Sequence, residues 1–317
     1  MWDNAGLIGD SGFVGGLLAR HVHFSRTYNS RTIENIAGER FDTLVCAGAP
    51  AAMWAANANP DADRANLERL FAQMCKAKAG RLILISTIAV LDDLSAGYTE
   101  INARYEAEKA YGRNRRDLEL HVLDHFNAHV LRLPALFGRG LKKNFLFDIL
   151  NPIPSFIKPE KFLQIRAALT PEELRLLDTV FAFDEGLALH KLDRTALQAS
   201  GGRKELELAF ERIGFLASGF TNSDSEFQYY NLENLKRDIE TAVAHGLQVL
   251  HVCPEPWRAG DLHSILMGKP FINSGPPAVK EDMRTNHAGA FGRQGPYLYD
   301  RREVLRDLKA FVAEEAC

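Results

Sequence analysis

The spacing of Gly9, Gly12 and Gly15 constrains this chain more than any other feature. The run Leu7-Ile8-Gly9-Asp10-Ser11-Gly12-Phe13-Val14-Gly15 sets GxxGxxG between an apolar strand candidate, Ala5 to Ile8, and a helix candidate, Phe13 to Arg20. At such a junction the first glycine allows the tight turn and the second lets backbone approach a pyrophosphate. The third lets the helix close on the sheet. Gly9, Asp10, Ser11, Gly12, Phe13, Val14 and Gly15 are therefore the expected cradle of a dinucleotide.

The pattern continues downstream. Strand candidates Val22 to Ser25, Thr43 to Ala47, Arg81 to Ser86 and His129 to Leu133 alternate with helical stretches Ala62 to Ala77 and Tyr105 to His125. The last three strand candidates are continuous apolar runs, as strands covered on both faces require. The expected fold is α/β, a Rossmann-type doubly wound parallel sheet, with Ala47, Gly48 and Ala49 at the end of the third strand beside the cofactor. In NAD enzymes of this architecture an acidic residue follows the second strand. Here Ser25 and Arg26 stand there, and a guanidinium suits a 2′-phosphate that a carboxylate would repel, so NADP is favoured over NAD.

Composition narrows the class. An apolar fraction of 46% and a charged fraction of 25% fit an ordinary globule and exclude disorder. The net charge of −3 argues against nucleic acid as a partner, and the basic runs Arg113, Arg115, Arg116 and Lys142, Lys143 are too brief for a binding stripe. Cys46, Cys75, Cys253 and Cys317 are scattered and form no CxxC pair, so neither a disulfide framework nor a zinc site is expected. His21 and His23 form an HxH pair with no third ligand at a recognisable spacing, and no metal is expected. The N-terminus lacks a basic region and its apolar stretch is broken by Asp10 and by glycines, which gives no signal peptide or membrane span and a cytoplasmic expectation.

Past Gly140 the character changes. Asn151-Pro152-Ile153-Pro154 reads as the exit from a first domain, residues 1–150. A substrate lobe, 151–317, follows, smaller and mostly helical, with an insert at about 155–220. Within it Thr170-Pro171-Glu172-Glu173 is an N-cap, a proline at the first helical position and an acidic first turn. The helix Leu232 to His245, the strand Gln248 to Cys253 and a closing helix from Asp300 to Ala316 then return to the main domain.

The glycine turn, followed by Ile85-Ser86-Thr87-Ile88-Ala89-Val90, by Tyr111-Gly112-Arg113-Asn114-Arg115 with Glu119, and by Leu131-Arg132-Leu133-Pro134-Ala135-Leu136-Phe137-Gly138-Arg139-Gly140, resembles the extended short-chain dehydrogenases. That family comprises nucleotide-sugar epimerases, dehydratases and reductases. The resemblance spans Ala5 to Gly140 and implies an NAD(P)-dependent oxidoreductase, epimerase or dehydratase acting on a sugar, with a nucleotide-linked sugar expected. It further implies Thr87, Tyr111 and Arg115 as the catalytic group, with Tyr111 as acid/base, Thr87 also on the substrate, and Ser86, Tyr111, Arg115, Leu133 and Pro134 against the cofactor. Lys143 and Asn144 are implied at a substrate diphosphate, and a homodimer paired through the tyrosine's helix. The chemistry is legible in itself, because a tyrosine is a poor base at neutral pH unless a cation one helical turn away favours its anion. Arg115 stands where the family has lysine, and it cannot shed a proton. Two alternatives stay open: Tyr105 with Lys109 as the literal YxxxK pair, and a non-catalytic dinucleotide-binding regulator on the same fold.

Overall fold

The computed structural model describes residues 1–315; Ala316 and Cys317 lie outside the described residues. The chain divides into two compact units, one of Met1–Leu141, Glu226–Trp257 and Lys280–Cys317, the other of Lys142–Ser225 and Arg258–Val279. The first boundary thus falls after Leu141 rather than at 150, and two later segments rejoin the first unit.

The first unit is built on a six-stranded sheet. Its strands are β1 (Ala5–Ile8), β2 (Arg26–Tyr28), β3 (Arg40–Cys46), β4 (Lys78–Thr87), β5 (Ala128–Leu133) and a sixth, Val249–His251. In space the order is Val249–His251, β5, β4, β3, β1, β2, and every pairing is parallel. The order reverses direction between β1 and β3, and open α/β sheets bind ligands at the carboxyl ends of strands at such a switch point. Its helices include α1 (Phe13–Leu18), α2 (Met53–Ala58), α3 (Pro60–Met74) and α4 (Ala110–His125), with Leu235–Ala244 and Arg301–Glu315 returning later in the chain. Leu44, Leu67, Met74, Leu82, Leu118 and Val122, all buried, join β3 and β4 to α3 and α4 in one core.

Two element boundaries differ from the sequence reading. The second strand is Arg26–Tyr28, not Val22 to Ser25, because His21 and Val22 still donate their backbone N–H groups to Leu18 at the end of α1. The fourth helix begins at Ala110, not at Tyr105. Glu106 turns its carboxylate back onto the N–H groups of Glu108 and Lys109, at 2.8 and 3.1 Å, and Tyr105 forms an antiparallel bridge with Leu91 instead. A helical stretch for 105–109 fails because a side chain satisfies the donors that a helix would otherwise leave open.

The second unit packs helices Pro159–Ala167, Pro171–Val180 and Arg203–Ile213 around Phe162, Ile165, Leu177, Val180 and Phe210. The expected cap forms as a full capping box: Thr170 Oγ1 accepts from Glu173 N, and Glu173 Oε2 accepts from Thr170 N. This unit is not all helix. An antiparallel sheet, Phe156–Ile157, Leu189–Leu192 and Phe181–Asp184, interrupts it, with strands too short to show a period of two in the sequence.

Candidate active site

The glycine turn sits at the carboxyl end of β1, between its two neighbours. Gly9 donates its N–H to Tyr28 O at 2.7 Å on one side, and Ala47 donates to Ile8 O at 2.8 Å on the other, which sets Ala47, Gly48 and Ala49 beside the turn. Side chains are excluded at the close approach: a Cβ on Gly15 would stand 2.2 Å from Gly9 O. Asp10 Oδ1 is buried there without a hydrogen-bond partner.

Ser25 and Arg26 lie at the opposite edge of the sheet. Register pairs Arg26 with Gly6 and Tyr28 with Ile8, so Arg26 opens the second strand rather than following it. Ser25 Oγ donates to Ala5 O at 2.9 Å and to Asn4 Oδ1 at 3.1 Å, at the amino end. These two residues are therefore withdrawn as the 2′-phosphate reader, the error being the misplaced strand. The segment that does leave β2 beside the glycine turn is Asn29-Ser30-Arg31-Thr32. Its turn is fixed by Asn29 Oδ1 accepting from Arg31 N and by Thr32 Oγ1 accepting from Asn29 N, both at 3.0 Å, and it leaves Arg31 exposed.

Thr87 ends β4, level with Leu133 at the end of β5, and Pro134 follows. Thr87 Oγ1 accepts the N–H of Ala89 at 3.2 Å, capping the short turn Ile88–Val90 and leaving the hydroxyl proton free to donate. Tyr111 lies in the first turn of α4. The next residue, Gly112, fastens that turn to the one Thr87 caps: a Cβ there would come within 2.1 Å of Ala89 O. Asn57 Oδ1 accepts the Tyr111 N–H at 2.9 Å, which ties the same turn to α2. Sequence positions 87 and 111 are thus joined through a backbone contact that only glycine permits.

Arg115 is not a free cation. It is 3% exposed, its guanidinium carbon lies 3.8 Å from the Tyr111 ring centroid, and Asp63 on α3 takes it bidentately at 2.7 and 3.0 Å. Its terminal nitrogens also donate to Pro50 O at 2.6 Å and Tyr111 O at 3.1 Å, and its Nε is buried without a partner. A sequence scan for a tyrosine and a cation one turn apart finds Arg115 but gives no sign of the acid on another helix that claims it.

The sequence reading also missed a polar row across the sheet. Ser86, Arg132 and His251 are level on three adjacent strands. Glu119, fully buried on α4, accepts from Ser86 Oγ at 2.5 Å, from Arg132 Nε and Nη2 at 3.0 and 2.7 Å, and from Arg116 at 2.9 Å. Ser86 is thereby committed to Glu119. Arg132 Nη1 donates to His251 Nε2 at 2.9 Å; since arginine only donates, that nitrogen accepts and the Nδ1–H donates to Arg284 O at 2.8 Å. Burial holds His251 below its ordinary value, with Glu100 opposing and Arg132 reinforcing the shift, in keeping with this neutral tautomer. Tyr105 stacks on Arg116, whose guanidinium carbon is 3.8 Å from its ring centroid, and receives a long hydrogen bond of 3.5 Å from Arg132. Its literal partner Lys109 is exposed and paired with Glu106 at 3.8 Å.

Lys143 and Asn144 belong to the second unit. Asn144 caps the helix Phe145–Leu150, its Oδ1 accepting from Phe147 N at 3.1 Å, and burial lowers the Lys143 ammonium below its usual value. Trp54 is 65% exposed on α2. His21 pairs with Glu233 at 2.6 Å. Among the described residues no group of His, Cys, Asp and Glu could hold a metal ion, and no helix is long and apolar enough to cross a membrane.

No protein-family model matches the sequence, and no curated protein matches it. Solved structures do. The dTDP-4-dehydrorhamnose reductase from Yersinia enterocolitica superposes with a TM-score of 0.60 at 15% identity, covering 98% of this chain and 99% of that one. The UDP-glucose 4-epimerase from Thermotoga maritima, solved with UDP-glucose, gives 0.60 at 11% identity over 98% and 97%. The dTDP-4-dehydrorhamnose reductase from Bacillus anthracis, solved with NADP, gives 0.61 at 12% identity over 99% of both chains. With this strand order, this glycine turn and these neighbours, the chain has the fold of the extended short-chain dehydrogenases.

Proposed function

We propose that this chain is an NAD(P)-dependent oxidoreductase or epimerase acting on a nucleotide-linked sugar, with Tyr111 moving the proton. One observation carries the reading: Gly112 fastens the turn bearing Tyr111 to the turn bearing Thr87, at the carboxyl edge of a sheet whose first turn suits a pyrophosphate. The ligands of the structural neighbours, UDP-glucose in one and NADP in another, support the same class. A bound nicotinamide would supply or receive the hydride. Thr87, its oxygen already accepting from Ala89, would donate its proton to the sugar oxygen, and Tyr111 would exchange a proton with that oxygen. Asp10 Oδ1, buried and without a partner, suits a ribose hydroxyl.

In this reading NADP is favoured over NAD by Arg31. Arg31 leaves the carboxyl end of β2 on a turn fixed by its neighbours, where a 2′-phosphate would meet a guanidinium. Arg31→Ala should weaken NADPH about ten- to a hundredfold, the worth of a charge-assisted hydrogen bond, and leave NADH unchanged. Calorimetric titration of both cofactors tests this; equal losses for the two would remove Arg31 as the reader.

A second reading, a dinucleotide-binding regulator without turnover, has one observation in its favour: the cation beside Tyr111 is spoken for by Asp63. Turnover of any nucleotide sugar with NADPH or NAD, lost in Tyr111→Phe, decides for the enzyme.

A further inference from the structure

We infer that Trp54 is the surface on which the nicotinamide ring of the cofactor lies, an assignment that rests on the dinucleotide reading above and adds to it a binding residue and a mode of contact.

Pro50, Ala51, Ala52, Met53 and Trp54 are consecutive apolar residues, and every one of them is exposed. Met53 is 47% exposed and Trp54 65%. A soluble surface scatters its apolar side chains singly. An unbroken exposed run marks a place that a ligand or a partner covers.

Strand order decides which part of a dinucleotide would meet this run. Arg31 follows β2, the glycine turn follows β1, the apolar run follows β3 and Thr87 ends β4, and these four strands lie side by side in that order. With its 2′-phosphate at Arg31 and its pyrophosphate at the glycine turn, a dinucleotide must carry its nicotinamide half across the end of β3 to reach Thr87.

The run is held on both sides. Ahead of it, Ala47 donates its N–H to Ile8 O at 2.8 Å, beside the glycine turn. At its start Pro50 O accepts from Arg115 Nη2 at 2.6 Å, and just beyond it Asn57 Oδ1 accepts the Tyr111 N–H at 2.9 Å. Trp54 and Asn57 stand one turn apart on α2 and roughly 60° around it. Trp54 therefore shares the side of the helix that Asn57 turns toward Tyr111.

The chemistry of the run suits a flat ring. None of its side chains is charged, so it offers nothing to a phosphate. An indole presents a broad, electron-rich face, and a nicotinamide, cationic when oxidised, gains from lying on it.

The test reads the indole and needs no substrate. Native tryptophan emission, less that of Trp54→Phe, isolates Trp54 from Trp2 and Trp257. The oxidised nicotinamide does not absorb where indole emits and so dims an indole only in contact, whereas the reduced ring also does so at a distance by energy transfer. NADP⁺ is therefore compared with 2′-phospho-ADP-ribose, which lacks only the pyridine ring, and NAD⁺ with ADP-ribose. Saturating NADP⁺ should dim the Trp54 signal severalfold, and its ringless analogue should leave it unchanged. In calorimetric titration Trp54→Ala should weaken NADP⁺ roughly two- to thirtyfold, the range of a cation–π contact, with the analogue unaffected. Equal dimming by the two ligands, Trp54 emission unchanged at saturating NADP⁺, or equal losses of affinity would each overturn the assignment. Native protein that binds neither NADP⁺ nor NAD⁺ in the titration overturns the dinucleotide reading itself, and Trp54 with it, before any emission is read.

Discussion

Glu119→Ala is expected to destabilise the protein by about 3–5 kcal/mol. Glu119 and Arg132 are both 0% exposed at their side chains and meet at 2.7 Å. Removing the acid leaves a guanidinium buried in the middle of the sheet with no counter-charge, and that uncompensated burial, more than the lost attraction, sets the cost. Ser86 loses its acceptor and Arg116 its partner in the same step. The double variant Glu119→Leu with Arg132→Met removes both charges together and should recover a good part of the loss. Denaturant unfolding measures both. A loss below about 1 kcal/mol for Glu119→Ala, the range of an exposed pair, would show that water reaches the row.

Tyr111→Phe should lower turnover by roughly 10²–10⁴, the usual worth of a group that moves a proton in the transition state. The fold should hold, since one hydroxyl leaves and the ring keeps its place against Arg115. Tyr105→Phe should stay within a few-fold of native. Tyr105 precedes α4, and its hydroxyl receives a long hydrogen bond from Arg132, itself committed to Glu119 and His251. Steady-state rates on a nucleotide sugar that the native protein turns over compare the two. If Tyr105→Phe proves the damaging one, the acid/base moves to Tyr105 and the Asp63–Arg115 pair becomes a clamp between α3 and α4.

What could be read from the sequence followed the range of the interactions behind it. The glycine turn and the apolar runs of β1, β3, β4 and β5 encode local backbone demands, and the strands form within a few residues of expectation. The second strand went wrong because α1 hands its last carbonyl to His21 and Val22, so the stretch that looks like a strand from Val22 onward begins while the chain is still leaving a helix. That slip put the expected 2′-phosphate reader at Arg26, which opens the strand at its amino end. Tyr111, Thr87 and Arg115 could be named as types at a spacing. That Arg115 is neutralised could not, because Asp63 lies on another helix and no local pattern links the two. The row of Ser86, Arg132 and His251 was invisible for the same reason: strand register brings together three positions widely separated in the chain.

If the glycine turn of this fold holds a nicotinamide dinucleotide, calorimetric titration of the purified protein with NADPH and with NADH should show a single site per chain, NADPH tighter than NADH, and loss of both in Gly15→Val, whose side chain must enter the space 2.2 Å from Gly9 O. A folded native protein that takes up neither dinucleotide, or a Gly15→Val variant that binds as well as native, would contradict it.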